Sequence, residues 1–116
     1  MMIDLANEFG KYPAGRFPTD GSYNGELFRE KFLKPYLKTI TEQSSSEKLI
    51  IDIDGVRAFG SSFIEEAFGG LIRAGLYTSL ELNRLIEVKC TKPNLLFYKE
   101  MIQHIISISA KSDEEQ

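Results

Sequence analysis

Residues 49–64, LIIDIDGVRAFGSSFI, decide the fold. Residues 49–53 form a near-continuous β-branched run, which is the pattern of a parallel strand covered on both faces. Asp54 and Gly55 end this strand. Apolar residues then recur at helical spacing, which predicts a helix over about 62–74 that ends near Gly75. A buried strand followed by an amphipathic helix is typical of an α/β domain.

Upstream of this segment, the sequence predicts a short strand, a long loop and a helix. Residues 3–5 alternate between apolar and polar, which indicates a half-buried strand. Residues 10–24 are rich in Gly, Pro, Asp and Ser and predict a long loop, and such loops in compact domains are often functional. An apolar stripe predicts a helix over 25–42, with Asn24 as its N-cap and a kink or break near Pro35.

Downstream, the pattern predicts one further strand and one further helix. Residues 86–90 alternate apolar with charged, which indicates an edge strand. A third amphipathic helix begins after Pro93, and the polar residues 111–116 predict a frayed tail. We therefore predict a single domain over residues 1–110, with a small mixed or parallel sheet covered by about three amphipathic helices.

The composition excludes several classes of function. The chain has 116 residues and a formal net charge of −3, and its basic residues are scattered along the sequence, which argues against nucleic acid as a partner. One cysteine cannot form an intramolecular disulfide, and no signal-peptide pattern opens the chain. The apolar runs are too short to span a membrane. These features predict a cytoplasmic protein.

The start of the second helix is the most specific part of the sequence. In open α/β sheets, binding sites lie at the carboxyl ends of parallel strands, and Ser61 and Ser62 fall there. A helix N-terminus favours an anion, including a phosphate attached to a serine. Ser62 and Glu65 also have the spacing of a capping box, so we predict that they form the N-cap of this helix.

This strand, turn and double serine resemble the central motif of STAS domains, the fold of anti-sigma-factor antagonists. The resemblance implies a STAS-like sandwich, a non-enzymatic regulatory role and a protein partner, namely a GHKL-type ATPase or kinase that phosphorylates the first hydroxyl residue of the motif. By position that residue is Ser61. Gly60 stands where the motif has aspartate, and Phe63 stands where it has glycine.

A second resemblance is to a STAS-like bacterial family that has no assigned activity. The residues that carry it are Gly15-Arg16, Asn24-Gly25, Phe28-Arg29-Glu30 and the run 61–69. This resemblance implies the same fold and identifies no activity, cofactor or metal. The partner and the oligomeric state stay open.

Two further groups of residues are candidates for binding. Gly69 and Gly70 interrupt the second helix, which indicates close approach of another backbone, either from the same domain or from a partner lying on a face formed by Glu65, Glu66, Gly69 and Arg73. Arg16 and Arg29 flank or follow the long loop and are possible anion-binding residues, with solvated or ion-paired arginine as the alternative.

The alternative to a regulatory module is an enzyme. Asp52 and Asp54 lie two apart on a strand and, with Glu65, are possible oxygen ligands of Mg²⁺ in a small enzyme or a nucleotide-responsive domain. No phosphate-binding glycine loop accompanies them, and His104 is the only histidine. The regulatory module is therefore the preferred hypothesis, with no cofactor and no metal.

Overall fold

The computed structural model describes residues 1–43 and 46–114, with side chains described for 1–43 and 46–109. Its sheet has three parallel strands in the order β1-β2-β3, with β2 in the centre. The strands are β1, Met2–Asp4; β2, Leu49–Asp52; and β3, Ile86–Lys89. Ile3 is paired with Ile51, and Ile51 with Val88. The predicted parallel sheet, its central strand and its edge strand are confirmed.

Within residues 1–43 and 46–114, five helices pack with this sheet, and two short 3-10 turns lie between the elements, at Pro18–Asp20 and Pro93–Leu95. The helices are α1, Leu5–Glu8; α2, residues 25–42; α3, residues 61–73; α4, Ser79–Leu85; and α5, Leu96–Glu114. Among the described residues, no helix has both the length and the apolar character that a membrane crossing requires.

The central strand has one fully buried face. Leu49, Ile51 and Ile53 are completely buried, whereas Ile50 and Asp52 are only half-buried. The prediction that β2 is covered on both faces is therefore wrong. The apolar run includes Ile50, which lies on the partly exposed face, so the run alone predicted more burial than β2 has.

Helix α2 has the predicted bounds and the predicted cap, because the Asn24 side chain accepts a hydrogen bond from the Leu27 N–H at 2.9 Å. Pro35 does not split it. The helix instead contains a π-helical segment, Arg29–Leu33, immediately before an α-helical stretch in which Pro35 is near the first position. A π segment forms hydrogen bonds between residues i and i+5, which shifts the bonding pattern of the residues that follow it. Pro35, which has no N–H, therefore lies where a new α-helical stretch begins.

Helix α3 contains a second π-helical segment, Glu65–Gly69. The two π segments contact each other where α2 crosses α3. This crossing is close because of Gly25: a Cβ built there would lie 2.7 Å from the Phe63 carbonyl oxygen and 3.0 Å from the Ala67 nitrogen. Backbone atoms cannot move aside as a flexible side chain can, so the crossing requires glycine at this position.

Two helices were not predicted. Helix α1 is too short to give a periodic signal. Helix α4 begins with a capping box, in which the Thr78 hydroxyl accepts from the Glu81 N–H at 3.1 Å and the Glu81 carboxylate accepts from the Thr78 N–H at 2.9 Å. Helix α5 continues to Glu114, into the segment predicted as a tail, and residues 115–116 lie outside the described part.

Candidate functional site

The first turn of α3 presents two exposed serines. The N-cap of this helix is Gly60, and no side chain caps it. The prediction that Ser62 and Glu65 form the N-cap is therefore wrong: the helix begins one residue earlier than predicted, and Glu65 binds arginines instead of reaching back to the helix start. Ser61 and Ser62 are both exposed, and their N–H groups have no hydrogen-bond acceptor within the described residues.

The long loop over residues 10–24 is fixed against this helix start. The Gly60 N–H donates to the Pro13 carbonyl at 2.9 Å, and a Cβ at Gly60 would lie only 3.2 Å from the Ala14 Cα. Inside the loop, the Asp20 carboxylate accepts from the backbone N–H groups of Arg16 at 3.0 Å and Phe17 at 3.1 Å. The loop is thereby held in one conformation beside the serines.

The long loop and the start of α3 form a shallow pocket of about 390 Å³. Ser61 and Ser62 of the helix line it together with Arg16 and Asp20 of the loop. The pocket therefore combines two hydroxyl groups, one cation and one carboxylate at the amino end of a helix. Such a site suits an anion that arrives attached to one of the hydroxyls, because the helix start supplies free N–H groups.

Beside this pocket, three arginines surround two glutamates. We name this group the arginine–glutamate cluster, and its members are Arg16, Arg29, Glu65, Glu66 and Arg73. The sequence marked all five as candidates, and the structure brings them together. Three guanidinium groups against two carboxylates leave one formal positive charge, which the neighbouring Glu30 carboxylate offsets at 3.0 Å from Arg29.

Glu66 is the centre of the cluster. Arg29 Nη1 lies 2.6 Å from Glu66 Oε2 and 2.7 Å from the Glu66 carbonyl oxygen, so one arginine binds both the side chain and the backbone of the π segment. The two side chains are only 13% and 10% exposed. Arg73 and Arg16 approach the other oxygen of Glu66, at 3.4 Å and 3.7 Å. This buried pair ties α2 to α3.

Glu65 lies nearer to solvent and bridges Arg16 and Arg73. Burial alone raises the pKa of the Glu65 carboxyl, but the hydrogen bond from Arg16 and the charge of Arg73 outweigh it, and the pKa is lowered. The pKa of Arg16 is raised in turn, chiefly by its hydrogen bond to Glu65. Both groups are therefore ionised near neutral pH.

The prediction of an exposed partner-binding face on α3 is wrong for two of its four residues. Glu66 and Gly69 are buried, Glu65 is half-buried, and only Arg73 is exposed. A Cβ at Gly69 would lie 2.7 to 3.0 Å from side-chain atoms of Glu65, Arg73 and Ser109. The glycine pair makes room for side chains of the same domain.

The two possible anion-binding arginines differ in availability. Arg29 is held by two carboxylates and one carbonyl and is nearly buried, so it has no free face for a ligand. Arg16 is 39% exposed and lines the serine pocket while it binds Glu65. Of the two, Arg16 alone is placed to meet an anion at Ser61.

The carboxylates proposed as Mg²⁺ ligands have other partners. Asp54 accepts from the Thr91 hydroxyl and N–H, each at 2.7 Å, and Asp52 lies 3.8 Å from Lys89. Glu65 belongs to the arginine–glutamate cluster. Within residues 1–43 and 46–109, no group of three or more His, Cys, Asp and Glu side chains is arranged to hold a metal ion. In the described residues, the three carboxylates named as Mg²⁺ ligands are thus bound to other groups of the protein.

Sequence reasoning named Gly25 only as part of the family resemblance and missed its structural role, which is to let α2 and α3 approach closely. The signal was the presence of glycine directly after an N-cap, at a helical position where glycine costs about 1 kcal/mol relative to alanine. A glycine at such a position indicates a close contact that a Cβ atom would obstruct.

Comparison with known proteins identifies the family of this chain. A family model described as a STAS-like domain of unknown function matches residues 24–95. The match covers α2, β2, α3, α4 and β3, and it includes Ser61 and four of the five cluster residues, with Arg16 outside it. No curated protein and no solved structure matches the chain significantly.

Proposed function

The chain belongs to the family of STAS-like domains of unknown function, and from that premise we propose that it is a non-enzymatic regulatory module that binds another protein and is switched by phosphorylation of Ser61. The partner we propose is a GHKL-type ATPase or kinase, as the resemblance to anti-sigma-factor antagonists implies. We propose that the two proteins bind each other in the cytoplasm.

One observation carries the proposal. Ser61 is exposed in the first turn of a 13-residue helix, beside N–H groups that have no acceptor within the described residues. A hydroxyl there is accessible to a kinase. A phosphate on it gains from the N–H groups and from the helix dipole, typically about 0.3 to 1 kcal/mol at an exposed site.

Phosphorylation would change the charges around the serine pocket. A phosphoserine carries about −1.5 to −2 charges at neutral pH, so it competes with the Glu65 carboxylate for Arg16. Asp20, which also lines the pocket, would be repelled by the phosphate. Because Asp20 holds the backbone of Arg16 and Phe17, the loop responds to the new charge together with the side chains.

A partner that binds the unmodified serine pocket would therefore meet an altered surface after phosphorylation. The like-charge contact that a phosphate introduces at an interface can cost several kcal/mol. We propose that the unmodified form binds and the phosphorylated form is released, while the domain itself stays folded.

The test is a phosphorylation assay. Each GHKL-type kinase of the same genome is incubated with this chain and ATP, and the intact mass of the chain is then measured. We expect the mass of one phosphate on the wild type and on Ser62→Ala, and none on Ser61→Ala. Ser62→Ala is the matched control, because both serines are exposed in the same helical turn. Phosphate on Ser61→Ala, or on none of the proteins with any kinase, would contradict the proposal.

A further inference from the structure

Another cavity lies at the carboxyl ends of the three parallel strands. Its volume is about 560 Å³. Asn7 follows β1, Arg57 follows β2, and Lys92 and Asn94 follow β3. Lys11, from the start of the long loop, completes the wall. We name it the strand-end cavity, and the three strands and the loop each contribute to it.

The charged residues that line the strand-end cavity are all basic. They are Lys11, Arg57 and Lys92, and no carboxylate lines the cavity. This concentration is unusual for a chain with a net charge of −3. The sequence analysis treated the basic residues as scattered, and they are scattered in sequence, but the fold gathers these three in one concave site.

These three cations differ from the arginines of the arginine–glutamate cluster in having no ion pair with any described residue. Their side chains are exposed and make no hydrogen bond within the described part of the chain. The Asp54 carboxylate attracts Lys92 without forming an ion pair with its side chain. Cations that line one cavity repel one another, and an anion between them removes that repulsion.

The backbone that carries these cations is fixed. The Arg57 N–H donates to the Lys11 carbonyl at 2.9 Å, which joins two of the three residues. The Asp54 carboxylate accepts from the Thr91 N–H and hydroxyl and from the Lys92 N–H at 3.3 Å, which fastens the end of β3 to the end of β2. Hydrogen bonding by Thr91 lowers the pKa of Asp54, so this fastening persists at neutral pH.

Two further features preserve the shape of the cavity. A Cβ at Gly55 would lie 2.8 Å from the Ala6 Cβ, so glycine is required where the turn after β2 passes α1. Asn7 is held by Asp4, whose carboxylate accepts from the Asn7 side-chain amide at 2.7 Å. The walls of the cavity are therefore built before any ligand arrives.

We propose that the strand-end cavity binds a small phosphorylated molecule, with Lys11, Arg57 and Lys92 as the phosphate-binding residues. The carboxyl ends of parallel strands are where open α/β sheets bind ligands, and the volume is in the range of small-molecule sites, about 300 to 1,000 Å³. Three converging cations suit a group with several negative charges, such as a diphosphate. The net negative charge of the chain disfavours an extended nucleic acid.

The test uses inorganic diphosphate as the probe, titrated into the full chain by calorimetry. We expect one site per chain in the wild type, with binding weakened about tenfold by each of Lys11→Gln, Arg57→Gln and Lys92→Gln, because each removes a charge-assisted hydrogen bond. Lys31→Gln is the matched control: Lys31 is exposed on α2, has no ion pair with the described residues, and its loss changes the net charge equally.

Melting curves of all four variants check that the fold is retained. We expect it to be retained because the four side chains are exposed. The proposal is overturned if diphosphate does not bind the wild type, or if Lys31→Gln weakens binding as much as the three cavity variants do. A single-stranded oligonucleotide serves as the competing probe. If it binds more tightly than diphosphate and depends on the same three cations, the surface binds nucleic acid and the small-molecule proposal is wrong.

Discussion

Replacing Glu66 with glutamine tests the arginine–glutamate cluster most simply, because it removes one charge and keeps the shape of the side chain. The substitution leaves Arg29, which is only 13% exposed, without its closest carboxylate at 2.6 Å. Arg73 and Arg16 lose the same carboxylate at 3.4 Å and 3.7 Å. Three guanidinium groups then share Glu65 and Glu30, and one positive charge of the cluster is uncompensated.

The expected loss of stability follows from the burial of this pair. Removing one partner of a fully buried ion pair costs about 3 to 5 kcal/mol. Arg29 keeps the Glu66 carbonyl oxygen at 2.7 Å and Glu30 at 3.0 Å, which compensate part of that cost. We therefore expect Glu66→Gln to lower the free energy of unfolding by about 2 to 3 kcal/mol, which lowers Tm by roughly 10 °C for a domain of this size.

The assay is urea unfolding of wild type, Glu66→Gln and the matched control Glu30→Gln. Glu30 also binds Arg29, but it is 46% exposed, and an exposed pair contributes only about 0.2 to 1 kcal/mol. If the two variants are equally stable within about 0.5 kcal/mol, the Arg29–Glu66 pair does not hold α2 on α3. The reasoning about the cluster is then refuted.

Three further predictions concern other parts of the structure. Gly25→Ala should lower the free energy of unfolding by about 1 to 3 kcal/mol, because its Cβ meets backbone atoms of α3, and an unchanged urea midpoint would show that the helices lie further apart. The stability difference between wild type and Glu65→Gln should be largest at neutral pH and shrink as the pH falls from about 4.3 through the lowered pKa of Glu65, since the ionised form is the one that the arginines stabilise; a difference independent of pH contradicts this. Asp54→Asn should speed hydrogen exchange of the Thr91 N–H and leave the Ile53 N–H, which donates to Lys89, unchanged; equal exchange of Thr91 in both proteins would mean that Asp54 does not fasten β3 to β2.

The sequence correctly predicted elements that depend on residues close together in the chain. The run at residues 49–53 and the Asn24 cap of α2 depend on neighbours in sequence, and both were found where predicted. The capping box at Thr78 and Glu81 was equally local and was overlooked. The start of α3 was misplaced because the Gly60 N–H is bound by Pro13, a contact 47 residues away that no capping pattern encodes.

The candidate site depended on contacts between distant parts of the chain. Arg16 and Arg29 were marked for anion binding and the residues of α3 for partner binding, and their meeting depends on how closely α2 crosses α3 at Gly25. Burial of Glu66 follows from the same crossing, because its carboxylate lies against Arg29 of α2. The three cations of the strand-end cavity lie far apart in sequence, and the parallel order of the strands together with the Arg57–Lys11 backbone hydrogen bond brings them to one site.

The most direct test of the regulatory proposal is a calorimetric titration of the GHKL-type partner with unmodified and with Ser61-phosphorylated chain, alongside Ser61→Ala. The account predicts that the unmodified chain and Ser61→Ala bind equally, and that the phosphorylated chain binds at least tenfold more weakly with a melting temperature close to wild type. Equal binding by the phosphorylated and unmodified chains would contradict the account, because Ser61 would then be an exposed residue of a helix start without a regulatory role.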